Sequence, residues 1–309
     1  MQRYILRKLF EAITTMLGLT LIVFSAVHVT GDPADFLLQG IIEVASDDTI
    51  EEMRRRMGLD RPFVVQYGVF MKRLFTSFDF GESFTNRRSG RELILERLPF
   101  TLQLAGAALV LSVVIGAPLG IISAVKRDSI FDRVGKMFAI FGFAVPQFWL
   151  AIMLVLLFGA KLKWLPTNGP GGLDHMLLPA IVLAVGPIAV MMRLGRSGML
   201  EILDSEFIKF ARAKGLNERL VLWKHAARNA MIPLLTFAGI LIAALLNGSV
   251  VVEQVFAWPG VGRLMLEGVL QRNMPLVQAT VLASGFFFIC MALIVDVLYG
   301  LVDPRIRVR

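Results

Sequence analysis

The 309-residue chain has one cysteine, three histidines and no acidic or basic residue across six of its longest stretches. Each scarcity excludes something. Cys290 alone makes no intrachain disulfide, so thiol chemistry is no part of the fold, and it reads as a small apolar filler among helices. His28, His175 and His225 stand far apart and fall in different topological compartments, and nothing in the sequence supports a Ser-His-Asp arrangement. His28 reads as a polar residue at a span end rather than as a ligand. The chain contains no G-x-x-x-x-G-K-S/T loop, no G-x-G-x-x-G after a strand, no C-x-x-C and no H-E-x-x-H. Nothing here performs chemistry in a recognisable way, and no cofactor is expected.

Hydrophobic residues make up 56% of the chain, above the roughly 45–50% usual for soluble domains. The uncharged windows are Ala12 to Gly31, Leu98 to Val125, Met137 to Ala160, Met176 to Met192, Asn229 to Val252 and Asn273 to Val295. A bilayer-spanning helix needs about 20 such residues, so six spans are expected. The basic N-terminus followed by an apolar run resembles a signal peptide. The run is too long and lacks a small-residue cleavage site, so it reads as a retained first span.

Net charge is +8, but its distribution points to a membrane rather than nucleic acid. With the N-terminus in the cytoplasm, eighteen Lys and Arg fall on the inner side. Only Lys161, Lys163, Arg263 and Arg272 lie in the two short outer loops. Both termini are therefore expected inside.

The division that follows is a first span (1–31), an extracytoplasmic loop with short helices (32–97) and a five-helix core (98–309). Asp47-Asp48-Thr49 ahead of IEEMRRRMGL start one helix of that loop, and RPFVVQYGVFMKRLFTSF forms another along the membrane surface. In span two, Gly106, Gly116 and Gly120 permit close helix approach, and Pro118 bends its inner end. Pro146 interrupts span three beside Gln147, a buried polar group at a kink or along a pathway. Asn247 lies near the end of span five. The outer segment 253–275, with Glu253, Trp258 and Pro259, reads as partly re-entering the membrane. Asp296 and Asp303 are expected to pair with the basic tail at Arg305, Arg307 and Arg309.

The most distinctive stretch is Ser205 to Pro233, SEFIKFARAKGLNERLVLWKHAARNAMIP, basic residues interleaved with large apolar ones between two spans. It reads as two short amphipathic helices joined around Gly215-Leu216-Asn217. With no ATP site in the chain and no ionisable group at mid-membrane, coupling to a partner explains it better than ion-driven transport. A self-contained carrier is the competing reading.

ARAKGLNERLVLWKHAARNAMIP resembles the coupling segment, the EAA loop, of membrane subunits of binding-protein-dependent ABC importers of the dipeptide, oligopeptide and nickel group. GDP at Gly31 to Pro33, FGES at Phe80 to Ser83 and RLPFTL at Arg97 to Leu102 match too. So do WLPTNG at Trp164 to Gly169, GSVVVEQVFAWPGVGRL at Gly248 to Leu264 and VDVLYGLVDPRIR at Val295 to Arg307. The resemblance runs through the chain in order. Lys209, Phe210 and Ala211 stand where Glu-Ala-Ala would, the chief departure.

It implies an all-α permease subunit whose coupling loop (201–231), between helices 4 and 5, enters a groove on an ATPase. Its coupling residues would be Phe207, Lys209, Phe210, Ala211, Arg212, Ala213, Lys214, Gly215, Leu216 and Arg219. Phe210, Leu216 and Leu220 would seat in the groove, while Arg212, Lys214 and Arg219 meet acidic rims or lipid phosphates. It further implies a second homologous permease subunit, two ATP-binding cassette subunits that hold the ATP and an extracytoplasmic substrate-binding protein, all at a bacterial inner membrane. Pro146, Gln147, Asn247, Glu253, Trp258 and Pro259 are pathway or gate candidates. Short peptides are the expected cargo, with glutathione, nickel or oligosaccharides as alternatives.

Overall fold

The computed structural model describes residues 2–30, 51, 52, 55, 58–85 and 87–302. Gly31 to Pro33, Asp47 to Thr49, Asp303 and the arginines of the tail lie outside them, as does the side chain of Asn247. The described residues are almost entirely helical; their one β feature is an isolated bridge between Glu82 and Ser89. Among the described residues five helices are long and apolar enough to cross a membrane, and a bent pair makes a sixth if counted as one span.

The helices are α1 (Gln2–Thr30), α2 (Phe63–Ser77), α3 (Gly90–Leu111), α4 (Ala117–Val125), α5 (Ile130–Ala144), α6 (Gln147–Leu154) and α7 (Leu173–Leu203). After these come α8 (Glu206–Ala213), α9 (Glu218–Leu220), α10 (Arg228–Gly248), α11 (Val250–Val255), α12 (Val261–Leu270) and α13 (Met274–Val302). Residues 1–99 with 259–293 form one compact unit, and residues 100–258 with 294–309 form another. Residues 259–275 thus group with the N-terminal part of the chain, and the boundary falls between Trp258 and Pro259.

In the N-terminal unit α2 packs on α1. Thr20 and Tyr67 hydroxyls lie 2.9 Å apart, and the Phe24 ring meets Phe63, Tyr67 and Phe70 at centroid separations of 5.3 to 5.4 Å. His28 Nε2 sits 2.9 Å from Gln66 Oε1 and its ring packs on Phe24 and Phe63, so it is a packing residue of this pair. The FGES turn is tied down by Asn273, 1% exposed. Its amide nitrogen donates to Ser83 Oγ at 2.7 Å, and its Oδ1 accepts from the Phe84 N–H at 3.2 Å.

The second unit is built around α7, which packs against α4, α5 and α10. Small residues set the α4 crossing. A Cβ on Gly120 would collide with the carbonyl oxygen of Met192, and one on Gly116 would stand 2.6 Å from Met191 Cβ. Nothing lies within 4 Å of Gly106, so of the three glycines of this span only two set a crossing. The break in that span is a π-turn, Ser112–Gly116, and Pro118 falls in the first turn of the helix that follows.

The third span departs most from the sequence reading. Instead of a kinked rod, α5 and the helix from Gln147 to Lys161 meet at 103°. Val145 is extended (φ −81°, ψ 121°) and Pro146 caps α6. A residue before proline is pushed out of helical backbone by the proline ring, so the helix ends there. Gln147, expected to be buried, is half-buried, and Pro146 is exposed.

Candidate functional site: the hairpin at Gly215

The segment after α7 turns twice within a dozen residues. Ser205, extended at φ −70° and ψ 150°, starts α8, and its hydroxyl donates to the Ile202 carbonyl at 2.6 Å. At the far end Gly215 takes φ +76°, a left-handed conformation that costs other L-residues energy and glycine almost none. Asn217 then caps α9, its side-chain oxygen accepting from the Arg219 N–H at 2.9 Å. The second helix is not separate: α9 passes through a π-turn, Val221–Ala227, directly into α10.

One face of this hairpin is sealed to the unit. Ile208, Val221, Ala226 and Ala230 are fully buried, clustered with Ala211, Ala227, Met199 of α7 and Ile121 and Ala124 of α4. The opposite face exposes apolar groups: Phe207 is 50% exposed, Phe210 62% and Trp223 58%. Leu216 and Leu220 are also exposed, as is Ala213.

Some of the cations are matched within the hairpin. Arg212 grips Glu218 through Nε at 3.2 Å and Nη2 at 2.7 Å, closing the turn around Gly215. Lys209 pairs with Glu206 at 2.7 Å, and Lys214 Nζ lies 4.6 Å from the centre of the Phe210 ring. Among the described residues, the surface this hairpin offers is therefore aromatic and aliphatic first, cationic second. Of the cations expected to face outward, Arg212 is engaged inside the turn, and Arg219 is exposed.

Beside the hairpin lies a polar cluster that sequence reasoning overlooked. Asp132, at the start of α5, is fully buried. Arg196 of α7 donates to it twice, at 2.7 and 3.0 Å, Lys136 Nζ lies at 2.8 Å, and the Ser123 hydroxyl and the Asp128 N–H donate at 2.5 and 3.1 Å. The one signal available was the Ser129-x-x-Asp132 spacing. Ser129 does cap α5, accepting the Asp132 N–H at 3.4 Å.

The gate candidates Glu253 and Trp258 are both inside the second unit. Glu253 is fully buried in α11, where its Oε1 accepts from Thr101 and Ser249 hydroxyls, each at 2.8 Å. Trp258, 2% exposed, donates its indole N–H to the Phe100 carbonyl at 2.9 Å. Pro259 is half-buried, and Asn247 is described only as part of the helical backbone of α10. Among the described residues no three His, Cys, Asp or Glu side chains could hold a metal ion.

The chain is thus an all-helical membrane protein with an exposed apolar hairpin where two of its long apolar helices, Leu173–Leu203 and Glu218–Leu245, are joined. The profile of binding-protein-dependent transport system inner membrane components matches residues 116–308, and that of the N-terminal part of the same components matches residues 1–105. A Brucella abortus (strain 2308) protein, provisionally named as a peptide transport system permease, is 41% identical over 99% of both chains. The glutathione transport system permease protein GsiC of Salmonella choleraesuis is 39% identical over the whole of both. The dipeptide transport system permease protein DppB of Alkalihalophilus pseudofirmus is 36% identical over 99% of this chain and all of its own. In fold, a chain of the MetNI methionine ABC transporter in an inward-facing conformation superposes with a TM-score of 0.58, covering 69% of this chain and 97% of its own at 18% identity. The chain belongs to the family of binding-protein-dependent transport system inner membrane components, and it is a permease subunit.

Proposed function

We propose that this permease carries short peptides across a bacterial inner membrane, driven by ATP hydrolysed in partner chains that dock on the Gly215 hairpin. One observation carries the reading: the hairpin buries one side against α4 and α7 and leaves Phe207, Phe210, Leu216 and Leu220 bare on the other. Large apolar groups next to one another on a surface outside the spans mark an interaction site. A hairpin fused at both ends to spanning helices passes a partner's motion directly into the membrane.

The assembly inferred is two permease subunits, two ATPases and an extracytoplasmic binding protein, with both termini of this chain in the cytoplasm. ATP is held by the partners, and this chain needs no cofactor of its own. Arg212 and Lys209 shape the hairpin through Glu218 and Glu206, leaving the apolar groups and Arg219 for the partner. Glu253 and Trp258 anchor the outer segment after α10. The peptide assignment leans on relatives named for peptide, dipeptide and glutathione transport.

The test is Gly215→Trp in the reconstituted complex. A tryptophan adopts a backbone φ near +76° only under strain. Labelled-dipeptide uptake is expected to be lost while the protein stays in the membrane. Substrate-stimulated ATPase activity equal to wild type would overturn the role of the hairpin. A wild-type complex that moves no peptide would overturn the cargo.

A further inference from the structure

The N-terminal unit contains an open cleft of roughly 900 Å³ that the coupling role leaves unused. It is bounded by the end of α1, by α2, by the turn around Gly81 and by the start of α13. Arg55, Arg61, Arg73 and Arg87 line it. Among the described residues, only Arg55 has an acidic neighbour at ion-pair distance, Glu51 at 3.7 Å. Two carboxylates share the walls, Asp79 and Glu82, and Asp79 is occupied with the Gly81 N–H at 2.9 Å. Among the described residues, four guanidinium groups stand against three carboxylates once Glu51 is counted, so the cleft keeps a positive excess.

Its floor carries a second, independent signal. Gln278 of α13 lines the cleft, is only 8% exposed, and its amide nitrogen has no hydrogen-bond partner. A buried donor left unmade costs folding energy, and an apolar side chain of the same shape would not incur that cost. The group is explained if something entering the cleft brings an acceptor. A carboxylate does: it is acceptor-only, and it takes guanidinium and amide donors together.

We propose that this cleft binds the terminal carboxylate of the transported peptide, with Gln278 at its floor and the arginines around it. The inference rests on the peptide reading above. The Gln278 amide nitrogen is sealed from the open cleft, so a carboxylate meets it only once the side chain turns outward, a movement that the end of a slender free peptide can follow and a carboxylate fixed on a protein surface cannot.

The test uses the assembled permease–ATPase complex in nanodiscs, without binding protein, and equilibrium binding of labelled Ala-Phe against Ala-Phe amide. The free acid is expected to bind about tenfold more tightly, the scale of one charge-assisted hydrogen bond. Gln278→Met and Arg73→Gln should each remove most of that preference. Gln278→Met should also raise the Tm of the ligand-free complex, because it deletes an unmet donor while keeping the volume. A folded, more stable variant that binds less tightly is not what a packing role produces.

Equal affinity for acid and amide, or an undiminished preference in both variants, overturns the proposal. So does a pattern in which the variants weaken only docking of the binding protein, which would make the cleft a protein contact. Dipeptide uptake by the wild-type complex with its binding protein separates the two levels. If uptake occurs but acid and amide bind alike, only the cleft is misassigned; if there is no uptake, the peptide reading itself fails.

Discussion

Two of the carboxylate–guanidinium pairs among the described residues of the second unit share their chemistry and little else. Asp132 and Arg196 are 64 positions apart and join α5 to α7, with the carboxylate fully buried and held by Lys136, Ser123 and a backbone N–H besides. Arg212 and Glu218 are six positions apart and join only the two sides of one turn, their side chains 43% and 54% exposed. The first fixes how helices meet; the second fixes the shape of a surface. Buried charge is tolerated when every partner is present and becomes expensive when one is removed. Exposed charge pairs gain little and lose little. The permease thus keeps a stiff side facing its own helices and a replaceable side facing outward.

The largest effect should come from breaking the stiff side. Asp132→Ala strands Arg196, whose side chain is 22% exposed, beside a hole and should destabilise the chain by about 3–5 kcal/mol. Thermal unfolding in detergent measures this, and a loss below ~1 kcal/mol would erase the contrast between the clamps. Next comes Gly120→Ala, where the new methyl meets the Met192 carbonyl. Overpacking of this kind costs about 1–3 kcal/mol. Gly106→Ala in the same span, with nothing within 4 Å, is the control and should be close to neutral in the isolated chain. If both substitutions behave alike, the α4–α7 crossing is not set by small residues.

Much of this stiffness could be read in the chain, but only in part. The uncharged windows gave the spans, because the cost of charge in hydrocarbon acts on each segment alone. Gly116 and Gly120 announced a close approach, though not that α7 was the helix approaching. Pro146 announced a break, though not one of 103°, since the angle depends on what packs on either arm. Gly215 and its neighbours were legible because a turn is a local matter. Asp132 was not: Ser129-x-x-Asp132 reads as a helix cap, which it is, and nothing near it points to Arg196 on the next span. Gln278 lies in an apolar span as a polar exception, yet only three-dimensional neighbours reveal that its amide is unmet.

The smallest effect belongs to the outer clamp, and it is the most informative about what the hairpin meets. A double-mutant cycle of Arg212→Ala and Glu218→Ala in the isolated chain should give a coupling energy of about 0.2–1 kcal/mol. Raising salt should reduce it, because exposed charges are screened over roughly 8 Å at 0.15 M ionic strength. The same cycle can be read through ATPase activation in the assembled complex. A partner seated on Phe207, Phe210 and Leu216 would drain water from the turn and take the pair out of the solvent that weakens it. The coupling should then rise above 1 kcal/mol and lose its salt dependence, moving the outer clamp toward the class of the inner one. If the two cycles agree, the pair stays in water throughout transport, and contact with the ATPase is confined to the apolar groups.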